Sequence, residues 1–221
     1  MSITMYIPHA FSSRDPAALD RLAACNAFGT LVSQLGGAPF ASHLPVLYHR
    51  AGGRVILTGH WARANPQWRD IEGQRVLCML HGPHAYISPR WYPEPEKNVP
   101  TWNYAAAHVY GKVRVIHEAG ELERIVTALA AQYEAGAPKP WRFEDTGDAG
   151  RARLNAIVGF ELSSEEAEVK LKLSQNHAED NVRGVIDGLR ALGSQEASAV
   201  ADWMEEALSQ RSRGSGTPHS G

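Results

Sequence analysis

Three polar clusters stand out, of which the first and third carry the residue types suited to holding an anion: Thr58-Gly59-His60 with Arg63 and Asn65, Ser88 with Arg90 and Trp91, and Lys172 with Ser174, Gln175 and Asn176. A phosphate group needs a fixed cation beside hydroxyls and amides, and Arg or Lys next to Ser, Thr, Asn or Gln supplies both. The same short patterns also serve as capped turns or solvated strand ends, and spacing alone leaves both readings open. His60 and His108 are of the type that exchanges protons near neutral pH. His81-Gly-Pro-His84 sets two imidazoles around a turn, but with no cysteine or acidic partner in the loop it falls short of a metal site. No nucleophile elbow, phosphate loop, dinucleotide fingerprint or paired-carboxylate pattern is present, which argues against unaided hydrolysis.

These clusters need strand ends to hold them, and the period of the sequence supplies strands. From Gly29 apolar residues alternate through TLVSQL, SHLPVLYH and RVILTGH, with Gly36-Gly37 and Ala51-Gly52-Gly53 as turn signals, predicting an antiparallel meander. Pro45 removes a backbone donor and belongs at an edge or a bulge. RVLCML predicts the next strand, and HGPHAYISPRWYPEPEKNVP a proline-rich excursion. The longest strand-like segment, Asn98 to Ile116, has two unlike faces. One carries Ala105, Ala107, Val109, Gly111, Val113 and Val115; the other carries Trp102, Tyr104, His108, Tyr110, Lys112 and Arg114. Rings interleaved with cations suit an anionic aromatic ligand or a subunit interface, and equally a cover for a neighbouring strand.

Helical period appears in four places: after Asp15-Pro16, from Ala119 with Leu122, Ile125, Val126, Leu129 and Tyr133 on one stripe, at Val182 to Leu189, and at Val200 to Leu208. Val158 to Leu162 and Val169 to Leu173 read as two further short strands. The sum is a mainly β chain with helices, α+β, six or seven antiparallel strands in a small closed or split barrel. The expected organisation is one domain over 1–193, a C-terminal helix over 194–210 and a disordered tail over 211–221.

Across 221 residues the chain is 43% hydrophobic and 21% charged, with a net charge of -2, so no global basic footprint for nucleic acid exists. Cys25 and Cys78 have no ligand spacing and read as reduced packing residues. No stretch has the length of a membrane-spanning helix, and Met1 to Ala10 lacks the pattern of a signal peptide, so the expected location is cytoplasmic.

The blocks MYIPHAF, GHWARANPQW, GPHAYISPRWY, VPTWNYAAAHVYGKV and KLSQN, in this order, resemble the PaiB family of FMN-binding negative transcriptional regulators, from about Met5 to Leu192. The resemblance implies an FMN-binding split barrel, a homodimer with flavin at the subunit interface, and a DNA or protein partner in regulation. By the same resemblance Arg63 is the leading phosphate ligand, flanked by Thr58 and His60, while Lys172, Ser174 and Gln175 approach the flavin. Ser88, Trp91, Trp102, Asn103 and His108 would line the ring or its access route. Relatives carry Gly-Lys-Trp-Lys where this chain has Val169-Lys170-Leu171-Lys172. Two alternatives accompany this reading: a flavin-dependent oxidoreductase of the pyridoxine phosphate oxidase type, and a split-barrel dimer without flavin.

Overall fold

The structure is a computed structural model and describes residues 5–214. Eight strands and five α-helices are found among the described residues, in the order β1 (Ser12–Ser13), α1 (Pro16–Cys25), β2 (Phe28–Leu35), β3 (Ala38–Pro45), β4 (Leu47–Ala51), β5 (Arg54–Ala62), β6 (Arg75–Ile87), β7 (Thr101–Ile116), α2 (Ala119–Glu134), α3 (Gly147–Arg153), β8 (Ile157–Lys172), α4 (Glu179–Ala191) and α5 (Gln195–Gly214). The strands form one antiparallel sheet in the order β3-β2-β6-β7-β8-β5-β4, with β1 added to β8. The α+β class expected from the period is the class observed.

The chain divides into two compact units. One is drawn from Met1–Ala18, Gly82–Ala106 and Val169–Gly221, the other from Leu19–His81 and Ala107–Glu168. In the second unit, two hairpins follow directly from glycine pairs. Gly36-Gly37 joins Leu35 to Ala38 and Gly52-Gly53 joins Ala51 to Arg54, all four glycines at positive φ, which a two-residue hairpin loop demands and L side chains resist. SHLPVLYH is two strands rather than one. Pro45 ends β3, Val46 donates its N–H to Ala27 O, and β4 starts at Leu47 on the opposite side of the strand order. Trp61, Leu57, Leu31, Ile71, Val109 and Phe160 form the fully buried centre of this unit.

Helix α2 covers a satellite core of Ile116, Leu122, Ile125, Leu129, Phe143 and Leu154. Its N-terminus is closed by Glu118, whose carboxylate accepts from Gly120 N and Glu121 N at 2.9 and 2.6 Å; these two bonds, Gly120's first, hold its pKa below the usual carboxylate range. Tyr133, placed by period on the apolar stripe, is 58% exposed, because the stripe stops one turn earlier at Leu129.

Three strands run longer than their hydrophobic pattern. β6 continues through HGPHAYI, so the irregular excursion shrinks to Ser88–Pro100. Strand β5 extends past His60 through Trp61-Ala62. The two short strands expected after Val158 are one, β8, because the intervening Ser163 to Glu168 stays extended and Ser164 Oγ donates to Tyr110 O and accepts from Glu166 N. In β7 burial alternates from Asn103 to Val109, then shifts: Tyr110 is buried, Val115 is half-exposed and Ile116 is buried.

In the first unit, α4 and α5 bury Val185, Leu189, Val200 and Met204. Helix α5 runs to Gly214, four residues past the boundary expected at 210; the rest of the expected tail, 215–221, lies outside the described residues. No helix among the described residues is long and apolar enough to cross a membrane.

Candidate functional site

The first unit contains a cleft of about 420 Å³, within the size range of small-molecule sites. Its wall is built from the start of β7 (Thr101, Asn103), the end of β8 (Lys172), the turn that follows (Ser174, Asn176, His177), the segment Tyr92 to Val99, and Phe11. The turn is self-supporting. Gln175 folds back so that its Oε1 accepts from Leu173 N at 2.7 Å and its Nε2 donates to Leu171 O at 2.5 Å, while His177 N donates to Ser174 O. Ser174 sits at φ 65, a left-handed conformation that L residues other than Asn and Asp seldom adopt. That turn presents the Ser174 hydroxyl to Asn103 and the His177 ring to Tyr92.

Two polar networks result. Asn103 is fully buried, and its Nδ2 donates to Ser174 Oγ at 2.9 Å and to Met204 Sδ at 3.3 Å. A thioether sulfur only accepts, so the amide nitrogen is the atom facing it and Oδ1 is the atom left over. That Oδ1 is buried with no hydrogen-bond partner among the described residues. Ser174 passes the chain on to Tyr92, whose phenol lies in hydrogen-bond reach and whose pKa is raised, chiefly by burial. The His177 ring stacks on Tyr92 at a centroid distance of 5.3 Å. The second network centres on Lys172: Nζ donates to Thr101 Oγ1 and to Trp102 O, each at 2.6 Å. Burial, and secondarily the nearby Lys170, lower the pKa of Lys172; burial and then Lys172 lower that of His177. Among the described residues no Asp or Glu lines the cleft, and Lys97 at its rim is already paired with Glu94.

Of the residues expected to bind a cofactor, Asn103, Lys172 and Ser174 therefore meet in one cleft. Gln175 adjoins it as the brace of the turn. Ser88 is buried and accepts from Arg90 N and Nε at 3.3 Å, capping a single turn. Trp91 is seated against α4, where a Cβ on Gly188 would stand 2.4 Å from its ring and a Cβ on Gly184 2.2 Å from its carbonyl oxygen. Trp102 is 52% exposed and makes an edge contact with Tyr86, itself 46% exposed. Period gave no sign of Phe11, Tyr92 or His177, because each reaches the cleft from a loop or a short turn.

Thr58, His60, Arg63 and His108 belong to the second unit. Thr58 is paired across the sheet with Leu47 and Glu161. His60 is half-buried, its Nδ1 has no partner among the described residues, and burial lowers its pKa. His108 Nδ1 lies 3.0 Å from Tyr110 Oη, and the Arg75 guanidinium sits 4.7 Å from the Tyr110 ring centre. Arg63 bonds to the main chain: Nε donates to Asn155 O at 2.5 Å and Nη2 to Ile157 O at 2.8 Å, tying down the start of β8. Arg63→Ala is thus expected to lower stability by about 1.5 to 3 kcal/mol, the worth of charged hydrogen bonds, as a shift in the urea midpoint. An unmoved midpoint would show that these bonds contribute nothing and free the guanidinium for a ligand.

Comparison with known proteins fits this arrangement. Residues 5–166 match the family described as "Putative FMN-binding domain". The protease synthase and sporulation protein PAI 2 of Bacillus subtilis is 37% identical over 94% of this chain and all of its own length. Among solved structures, the FAD and heme binding protein from Mycobacterium smegmatis (TM-score 0.55, 17% identity, 78% of each chain) and the flavocytochrome Anf3 from Azotobacter vinelandii (TM-score 0.54, 15% identity, 74% of this chain and 70% of that one) share the fold. With the family model covering most of the chain and a full-length relative above 30% identity, the chain belongs to the PaiB family of FMN-binding split-barrel proteins.

Proposed function

We propose that this chain binds FMN and acts in the cytoplasm as a negative regulator of transcription of the PaiB type, as a homodimer with flavin at the subunit interface. The observation that carries the reading is the cleft in which Asn103, Lys172 and Ser174 converge without a carboxylate, in a chain of an FMN-binding family. The residues fit the group: Lys172 and His177 offer positive charge or donors, Thr101 and Asn176 add polar contacts, and Phe11 and Tyr92 give apolar walls for a ligand. When bound, FMN would supply electron transfer; the protein supplies binding, orientation and electrostatics. Lys172, held by Thr101 and Trp102, is fixed in place before a ligand arrives, which reduces the ordering cost of binding. Exposed Trp102 and Tyr86 support self-association, since paired surface rings are typical interface residues.

Regulation through a protein partner or through the dimer fits better than direct DNA reading. The net charge is -2, and Glu196, Asp202, Glu205 and Glu206 cluster on α5, whereas DNA binding draws on phosphate contacts from a basic face. Light scattering on a gel-filtration column, with visible absorbance recorded on the same peak, tests the reading. A dimer carrying flavin colour is expected; a colourless monomer after FMN addition would overturn it. A gel shift with promoter DNA that is specific and weakens with salt would replace the partner model by direct DNA binding.

A further inference from the structure

We infer that the groove at the C-terminal end of α2 is a second binding site, which takes a small organic cation: an ammonium group carried on an aromatic or branched aliphatic body. The groove belongs to the second unit and the cleft beside Lys172 to the first, so the inference goes beyond the flavin reading and does not rest on it.

The groove encloses about 300 Å³, at the lower end of the range for small-molecule sites. Its floor is helix. Thr127, Ala130 and Ala131 stand at i, i+3 and i+4 on α2, one face whose side chains are too short to fill the space above it. Its wall is Trp141, 47% exposed and set edge-on to the buried Phe143, with ring centres 6.4 Å apart. Phe143 is rooted in the core beneath α2, and Trp141 N donates to Glu134 Oε2 at 3.0 Å, so the indole segment is held at two points before a ligand arrives. A ring or branched chain seated on the alanines meets that wall.

Charge selects the head group. The lining carries two carboxylates, Glu134 and Glu144, against one guanidinium, Arg142, which lies 3.6 Å from Glu144. A carboxylate can accept several donors, and the bond from Trp141 N to Glu134 uses one of those places. Helix α2 ends here with no basic residue in its last turn, and the last carbonyls of a helix carry partial negative charge. The π-face of an indole attracts cations as well. Carboxylates, helix end and ring thus set a negative potential over an apolar floor. An anion is repelled by it, and a neutral ligand leaves it unused.

The experiment uses the whole protein, with phenethylammonium as probe and two controls of the same body: neutral 2-phenylethanol and anionic 3-phenylpropionate. Indole N–H resonances are followed by NMR. The chain has six tryptophans, so the Trp141 signal is identified by its loss in Trp141→Phe. A saturable shift of that signal is expected with phenethylammonium, at an affinity about tenfold above that of either control, the lower end of what a charged hydrogen bond supports at a half-buried carboxylate. Glu134→Gln should reduce the affinity to that of the alcohol while leaving the urea midpoint unchanged, since an amide oxygen can still accept from Trp141 N. No saturable shift, or equal affinity for the three probes, would overturn the inference. So would an affinity that Glu134→Gln leaves unaltered. The comparison of probes needs only the unmodified protein, so a folding defect in the variant would not blunt the test.

Discussion

Gly111→Val is expected to prevent the chain from reaching its native state, and Gly111→Ala to destabilise it by about 3 kcal/mol or more, among the larger effects of single substitutions. The cause is space rather than backbone conformation. A Cβ at Gly111 would stand 2.4 Å from Ser163 O and 3.0 Å from Leu162 Cδ2. The obstacle is main chain, and it cannot retreat cheaply, because Leu162 and Ser163 are paired on their other side with Leu57 and Ile56 of β5. Ser164 Oγ also donates to Tyr110 O at 2.5 Å, fastening β8 to β7 one residue away. Urea unfolding of Gly111→Ala measures the effect. A midpoint close to the parent's would mean that the strands part easily here and that the close approach is not a constraint on the fold.

Trp61→Ala should cost about 3 to 5 kcal/mol, the usual loss for a fully buried large aromatic. Trp61 is wholly buried, its ring centre 4.7 Å from that of Phe160. Its Nε1 donates to Gln67 Oε1 at 2.9 Å, and Gln67, 1% exposed, donates in turn to Leu31 O and Ser33 Oγ at 3.0 Å and to Phe40 O at 3.3 Å. A buried amide with every hydrogen-bonding group used is costly to break, since removal of one partner strands the others. Gln67→Leu alone should therefore cost about 1 to 3 kcal/mol. Trp61→Phe combined with Gln67→Leu should cost less than the sum of the two single changes, by about 0.5 kcal/mol or more, because both break the same bond. Strict additivity in urea midpoints would show that the two side chains do not act as a unit.

That network belongs to a stretch whose bonds within the fold were not legible in the sequence. GHWARANPQW has Arg, Asn, Gln and His at a strand end, which is the residue mixture of a phosphate loop. In the folded chain several of its polar groups bond within the protein: Asn65 Oδ1 accepts from Gln67 N, its Nδ2 donates to Ser42 Oγ, Trp68 Nε1 donates to Arg63 O, and Arg63 ties the start of β8. Residue type cannot say whether a donor serves a ligand or a carbonyl; only the partner decides. KLSQN shows the opposite outcome. Lys172 and Ser174 open onto the cleft, yet Gln175 between them turns back onto Leu171 O and Leu173 N. The strands were legible where burial alternates, as in the two glycine hairpins and the middle of β7. They were not legible where a strand continues through polar or proline-containing sequence, as in β6 at His81-Gly-Pro-His84 and β8 at Ser163 to Glu168, because there cross-strand hydrogen bonds rather than apolar period keep the backbone extended. Trp91 read as lining the ring or its access route; its seat against Gly184 and Gly188 of α4, almost a hundred positions away, was not legible in the sequence.

Titration of FMN with the purified protein, followed by flavin fluorescence, tests most directly whether this fold holds FMN. Saturable quenching at one flavin per chain, with the flavin retained through gel filtration, is the result expected. Unquenched fluorescence at protein concentrations far above that of the flavin, from a chain whose urea transition shows it folded, would contradict it.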